Sequence, residues 1–509
     1  MASVSRRVNG VTVRARLAAY TGAMVQPAWS ERGESGAARG QVLRALVEAL
    51  GPDRVLADEA SLRRLAGDMF GRWRGGQTPP PLPPLVVVRP RSTEEVAAAV
   101  RRAAVLQVPL VAFGGGTGLM GGARTIAPGI ALDLRALNHI GPIAREDRIA
   151  HVGAGVVLGD LARAVAPYGL IVGHDPWTFF IATVGGAFST NGLGYLAGKY
   201  GSMAEQVLGV TVVLADGTVA RTRPAERSST GPRLKELFAG AEGTLGIVTE
   251  LDVRLWPAPE AEIVRGYRFP GGFDQGFRAI AALVSAGIRP ATIDFGQARR
   301  WQQPADVPVA PQDEEGILHL VFHGLREETR ALARRAEQIL RVHGALPRSA
   351  RAARRFWEER HVDPVRIRAR QEAQGTADDW PPPDLLVDFL HVWLPTSRVL
   401  EVKRAAQELL FARGVSVGEW GLWHGPELFS IAVFTRGRTP DDAARLGDAC
   451  DAVLRLVQDA GGSMEYVHGV GLRLAHLMAR EHGAGLEILR AIKRALDPAG
   501  LLNPGKLGL

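Results

Sequence analysis

Gly114-Gly115-Gly116-Thr117-Gly118-Leu119-Met120-Gly121-Gly122 is the stretch on which the reading of this chain turns. It follows an apolar run at 108–113 that predicts a strand. Gly116-x-Gly118-x-x-Gly121 has the spacing of the dinucleotide fingerprint, but that motif needs a helix directly after it, with the pyrophosphate on the helix N-terminus. Here Ala123-Arg124-Thr125-Ile126-Ala127-Pro128-Gly129 follows, and a proline-broken run between glycines starts no helix. The alternative is a phosphate nest. Consecutive backbone N–H groups converge on an anion where side chains are absent and positive φ is allowed, and Thr117 adds a hydroxyl. A plain glycine-rich turn remains open at this point.

Working outward, 85–88 predicts a short buried strand, and Ser92-Thr93-Glu94-Glu95 has the spacing of a reciprocal capping box. Val96, Ala99, Val100 and Ala103 then fall on one helical face. Strands are expected at 130–134, 149–152 and 209–215, the last turning at Asp216-Gly217, with helices at 42–50 and 158–165. Pro257 and Pro259 mark a break in composition. Beyond it, strands at 317–322, 388–394 and 429–434 alternate with helices at 327–342 and 398–413, and 363–384 reads as a polar, proline-rich loop. The pattern is α+β.

The bulk numbers exclude several functions. Net charge is +8, spread along an arginine-rich chain with no basic block, so no nucleic-acid footprint is expected. Cys450 is the only cysteine, which rules out an intrachain disulfide and cysteine-ligated clusters. Its neighbours Leu446, Val453 and Leu454 make it a helix core position. No run of eighteen apolar residues is present, so no transmembrane segment is expected. Residues 1–41 read as a variable or disordered extension, although Arg6, Arg7, Arg14 and Arg16 with no acid before Glu31 also suit a transit-like or membrane-surface segment.

The glycine loop does not stand alone. Asp175-Pro176 and Thr178 precede Thr183-Val184-Gly185-Gly186 and Ser189-Thr190-Asn191, a wall of small polar groups against which a planar ring fits. Lys199-Tyr200-Gly201 and Gly240-Ala241-Glu242-Gly243-Thr244-Leu245-Gly246 come later. In this order the motifs resemble the FAD-binding domain of the vanillyl-alcohol oxidase and p-cresol methylhydroxylase (PCMH) superfamily, over roughly residues 85–509. The branch resembled is that of FAD-linked glycolate, D-lactate and D-2-hydroxyglutarate dehydrogenases, with alkyl-dihydroxyacetone-phosphate synthase a cousin. The resemblance implies a two-subdomain PCMH-type FAD-binding domain at 42–257, an α+β substrate cap at 258–485, and a C-terminal segment, 486–509, returning to the FAD domain. It implies FAD contacts from Gly114, Gly115, Gly116, Thr117, Gly118, Leu119, Asp175, Thr178, Thr183, Gly186, Asn191, Glu242, Gly246, Ile247, Asn503 and Lys506. No histidine sits in the glycine loop, so a flavin bond from that loop is not expected.

On the substrate side, Val467-His468-Gly469-Val470-Gly471 matches the family's Glu-His-Gly-x-Gly turn, which implies His468 as the base at the flavin. Phe356-Trp357-Glu358-Glu359-Arg360 resembles a Trp-x-x-Arg segment whose arginine binds a substrate carboxylate. The branch's metal motif aligns with 421–429, placing Leu422 and Phe429 at its two histidine positions, while Val467 replaces its glutamate. Apolar groups cannot hold zinc, so no metal is expected. Trp393, Trp420 and Trp423 cluster on the cap strands, either as core or as the wall of a larger apolar or aromatic substrate pocket. The expectation is an FAD-dependent oxidoreductase that oxidises a small hydroxy acid or alcohol-type substrate. A phenol or benzylic alcohol oxidase, an alkyl-glycerone-phosphate synthase-like enzyme and a non-catalytic flavin-binding subunit are the alternatives. A cytoplasmic protein is expected, with a homodimer, peripheral membrane contact and the electron acceptor all open.

Overall fold

The computed structural model describes residues 36–69, 82–298, 315–374, 385–437 and 439–509. Residues 1–35 of the expected extension and residues 375–384 of the expected loop lie outside the described residues.

Val86, Val87 and Val88 form a fully buried strand because both faces are covered. It pairs in parallel with Ile130–Asp133, which pairs in parallel with Leu110–Phe113, the strand that delivers the chain into the glycine loop. Val55–Leu56 closes the other edge antiparallel, giving a four-stranded sheet. The helix Thr93–Leu106 packs on it through Val96, Ala99, Val100 and Ala103. The capping box forms by half. Ser92 Oγ accepts from Glu95 N at 3.2 Å, but the Glu95 carboxylate takes Arg91 N–H and the Arg54 guanidinium instead of closing back on Ser92.

A second, six-stranded sheet follows, in which Ile140–Ala144, Ile149–Gly153, Ile247–Pro257, Val207–Val213 and Val219–Arg221 lie side by side. Leu170–Val172 pairs with the far end of Ile247–Pro257. Leu251, Val253 and Leu255 alternate inward beneath the helix Leu158–Val165. These two sheets correspond to the two subdomains expected of the N-terminal half.

The cap is a seven-stranded sheet in the order Leu346–Pro347, Ala261–Phe269, Gly316–Gly324, Thr292–Ala298, Ser416–Trp423, Leu428–Arg436 and Leu385–Trp393. Helices Gly272–Ser285, Arg326–Val342, Val399–Ala412 and Pro440–Asp459 cover one face over Phe273, Phe295, Leu422 and Phe429. Cys450 is buried in this core, as expected of its helix face. The loop expected at 363–384 is corrected: Val362–Gln374 is a helix. It buries positions 364, 367 and 371, a helical spacing, but only Ile367 of these is aliphatic, so no apolar periodicity betrayed it. Pro364 sits in the first turn, where its missing N–H costs nothing.

The C-terminal tail leaves the cap and returns to the first sheet. Leu110 N donates to Leu501 O at 2.8 Å and Asn503 N donates to Leu110 O at 2.8 Å, with Leu502 buried below.

Candidate flavin cleft

Between the glycine loop, residues 174–193 and the near edge of the cap runs a cleft with about 1510 Å³ of empty space, part of it open to solvent. No helix follows the loop. Among the described residues none accepts from the backbone N–H groups of Gly116, Thr117, Gly118 and Leu119. Gly116 has φ +63°. Such a run of unpartnered donors fits a diphosphate and distinguishes a nest from a plain turn. The glycines are required by close approach as well. A Cβ on Gly115 would run into the Ile181 carbonyl oxygen and lie 3.2 Å from Ala182 Cα and Thr183 N. Thr183 caps the helix Val184–Thr190, its hydroxyl accepting from Gly186 N and Gly115 N, both at 3.3 Å.

The residues expected at the cofactor divide into two groups. Gly114, Gly115, Gly116, Thr117, Gly118, Leu119, Thr178, Thr183, Gly186, Glu242 and Ile247 line the cleft. Asp175, Asn191, Gly246, Asn503 and Lys506 stand behind its walls. Asn191, at φ +50°, ends the Val184–Thr190 helix and its Oδ1 accepts from Ala204 N. Gly246 makes room for Val212. Asn503 Nδ2 donates to Gly122 O and Glu242 O, tying the tail, the glycine loop and the Glu242 turn into one knot. Lys506 is fully buried and donates to Arg124 O at 2.6 Å.

Glu242 builds the wall on the side of His468. Its carboxylate accepts from Val470 N at 2.7 Å and Gly471 N at 2.9 Å, which sets the turn that carries His468. Burial raises its pKa to about 7, opposed by those N–H groups and by Lys506. Burial likewise lowers Lys506 to about 7, opposed by Glu242 and Asp68.

His468 lines the cleft, with Val467 beside it. Glu465 Oε1 accepts from the backbone N–H of Tyr466, Val467 and His468, and its Oε2 lies 3.9 Å from His468 Nδ1. A ring set against it is one the sequence reading missed. His391, on the edge strand Leu385–Trp393, meets His468 edge to face with centroids 4.6 Å apart and also lines the cleft. A lone histidine in an alternating strand carries no motif, so only the fold reveals it. His174 is a third lining histidine, lowered to about 4 by burial and therefore neutral at pH 7.

Arg360 does not line the cleft. Its Nε donates to Asp175 Oδ2 at 3.0 Å, its Nη1 to Trp357 O, and its guanidinium lies 3.6 Å over the Trp357 ring. His361 Nε2 meets the other Asp175 oxygen at 2.8 Å. Burial pushes Asp175 up, but the hydrogen bond from His361 and the charge of Arg360 outweigh it and hold the carboxyl below its ordinary value. Asp175 therefore locks the cap segment 357–361 onto the FAD domain.

Leu422 and Phe429, aligned with the family's metal histidines, pair across a hairpin and are buried in the cap core, facing away from the cleft. The expected tryptophan cluster is also corrected. Trp423 lines the cleft and stacks on Tyr195 at 5.4 Å, Trp420 stacks on Phe429 inside the cap, and Trp393 is 40% exposed. Alternation along the strand Ser416–Trp423 puts Trp420 and Trp423 on opposite faces. His424 caps that hairpin outside the cleft lining, lowered to about 4 by burial. Among the described residues one group could gather around a metal ion, His139, His151 and Glu250, none of which lines the cleft.

Two subdomains gripping a nest-lined cleft, with a separate sheet closing over it, define a flavoprotein of the PCMH-type fold. The comparisons agree: the chain belongs to the FAD-linked oxidase family, with residues 84–223 matching the FAD binding domain and 258–507 the FAD linked oxidases, C-terminal domain. It is an FAD-dependent oxidoreductase. It is 29% identical to glycolate oxidase subunit GlcD of Bacillus subtilis over 435 residues, 83% of this chain and 89% of the relative. It is 28% identical to a probable mitochondrial D-lactate dehydrogenase of Danio rerio, covering 84% of each. The fold is shared with 4-ethylphenol oxidase of Gulosibacter chungangensis at a TM-score of 0.73 and 21% identity, covering 93% of this chain and 98% of that one. No helix among the described residues is long and apolar enough to cross a membrane.

Proposed function

We propose that this chain oxidises an alcohol-type carbon, of a small hydroxy acid or a simple alcohol, with His468 as the base. Bound FAD supplies the hydride acceptor. Gly116, Thr117, Gly118 and Leu119 would hold its diphosphate through their backbone N–H groups, and Thr183 and Gly186 would line its ring or ribityl chain. As the C–H bond is lost, the hydroxyl proton must leave, and His468 takes it. His391 stands against His468 as the next titratable group. The observation that carries this reading is the His468–His391 pair in the wall of the same cleft as the nest. Arg360 recognises a substrate carboxylate only by releasing Asp175, so while that pair stands its role is positioning.

A second reading, oxidation of a phenol or benzylic alcohol, is favoured by the Trp423–Tyr195 stack at the cleft. A synthase-like reaction on an alkyl-glycerone phosphate and a non-catalytic flavin subunit are the further alternatives. The same reading divides the chain at 42–257, 258–485 and 486–509; the change of sheet between Pro257 and Ala261 supports the first of these boundaries. It takes the protein as cytoplasmic, with a homodimer, peripheral membrane contact and the electron acceptor all open. Anaerobic bleaching of the bound flavin by D-2-hydroxy acids, benzylic alcohols and phenols in parallel tests it. Bleaching by hydroxy acids or simple alcohols is expected, bleaching by phenols or benzylic alcohols alone selects the second reading, and no bleaching by any overturns both and selects the synthase-like or non-catalytic alternative.

A further inference from the structure

Arg368 stands on the helix Val362–Gln374, in the cap half of the chain, yet its Nη2 donates to two carbonyls of the FAD domain's glycine loop, Gly115 O at 2.9 Å and Gly116 O at 3.0 Å. It is not among the groups lining the cleft, so it reaches the loop from behind. Among the described residues no carboxylate lies within ion-pair distance of its guanidinium, and its Nε is buried without a partner. Burial lowers its pKa, Glu372 one turn on opposes this, and Arg135 and Arg64 add to it. An arginine remains a cation under such a shift. A cation with no close counter-charge among the described residues, half-buried behind an anion-binding loop, calls for an explanation.

Peptide geometry supplies one. A peptide unit is planar and trans, so its C=O and the following N–H point in opposite directions. A guanidinium that fixes the carbonyls of Gly115 and Gly116 thereby aims the N–H groups of Gly116 and Thr117 the other way. Those are two of the four loop donors that have no partner among the described residues. Glycine needs such a restraint most, because it has the widest choice of backbone conformations. The charge acts in the same direction, since a cation one peptide unit behind the nest lowers the cost of a diphosphate in a site of low dielectric.

We infer that Arg368 is the cofactor clamp of this protein: it presets the glycine loop for the FAD diphosphate, supplies the positive charge behind it, and makes tight FAD binding depend on a docked cap. The inference rests on the diphosphate lying in the nest. It predicts that a cap residue far along the chain sets cofactor affinity, although it touches only backbone.

The test uses full-length apoprotein titrated with FAD by flavin fluorescence, alongside the apoprotein's own melting temperature. Arg368→Gln keeps an amide that can donate to one carbonyl but removes the charge and the fork. It should raise the FAD Kd roughly 10- to 100-fold, the range for losing one partly screened charge near a buried anion. Arg368→Lys restores the charge without the planar fork and should recover part of that loss. Adding salt should weaken FAD binding to the parent more than to Arg368→Gln. Should Arg368→Gln fail to fold, Arg368→Lys and the salt dependence of the parent carry the test. An FAD Kd within threefold of the parent in both variants overturns the inference. So does a fall in apoprotein melting temperature with the Kd unchanged, which marks Arg368 as a packing residue. If the parent itself takes up no FAD, the failure lies with the nest and not with Arg368.

Discussion

Gly115→Ala isolates the role of the glycine loop. The new Cβ would point at the Ile181 carbonyl oxygen, far inside the 3.0 Å that real Cβ atoms keep, with Ala182 Cα and Thr183 N at 3.2 Å. All three are backbone atoms in the segment leading to the helix Val184–Thr190, so none can swing aside. The loop must retreat instead, carrying the N–H groups of Gly116 and Thr117 off the diphosphate. Hydrogen bonds to a charged group contribute about 1.5–3 kcal/mol each, and weakening two of them gives a loss of about 2–4 kcal/mol, or a rise in FAD Kd of roughly 30- to 1000-fold. Gly118→Ala is the control. Its Cβ would meet only the Asp68 side chain, at 3.4 Å, so the Kd should change less than roughly fivefold, under about 1 kcal/mol. Fluorescence titration of apoprotein reads both. Equal affinities for FAD in the two variants would refute the reasoning, because composition and position in the loop are shared and only the clash differs.

Breaking the cap lock with Asp175→Ala leaves Arg360 and His361 without their acid and should cost about 3–5 kcal/mol, read by urea denaturation; a loss below about 1 kcal/mol would show that the lock is solvent-screened. Because Asp175 is held below its ordinary value, its stabilisation is present above the unfolded pKa of 3.8 and is lost as pH falls through the lower folded value, so the parent's advantage over Asp175→Ala should shrink only in acid. Glu242 has the opposite sign. Its pKa rises from 4.5 to about 7, so the stability it contributes is full below pH 4.5 and is lost as pH rises to about 7; Glu242→Gln should flatten that slope in pH-dependent melting, and an unchanged slope would assign the titration elsewhere. Trp423→Ala should raise KM for aromatic alcohols more than for small aliphatic ones, since it removes the stacked wall with Tyr195, and equal effects on both would place the substrate away from that wall.

Much of the fold was legible because local signals and tertiary need agree. The valine run at 86–88, the cap at Ser92 and the glycine loop that starts no helix each carry their reason in a few adjacent residues. What escaped depends on partners distant in sequence. The helix Val362–Gln374 hides because two of its three buried positions are Pro364 and Gln371, which read as polar or breaking. Arg368 escaped with it. His391 lies 77 residues before His468 on a strand edge and becomes visible only once the sheet brings the two together at 4.6 Å. Asp175 and Arg360 were each noticed singly, as a cofactor and a substrate contact, but their mutual pairing 185 residues apart belongs to the docked cap. Lys506 and Asn503 were read as cofactor neighbours, whereas their side chains satisfy backbone carbonyls behind the wall.

If His468 takes the hydroxyl proton while a neighbouring FAD takes the hydride, anaerobic stopped-flow reduction of the flavin in His468→Asn reports the loss of the base. With the best reducing substrate from the panel, reduction should slow by roughly 100- to 10,000-fold, while FAD content and Kd match the parent, because the loop that binds the diphosphate does not include residue 468. Reduction at the parental rate in a fully FAD-loaded His468→Asn protein would contradict the account and move the base elsewhere in the cleft, His391 first.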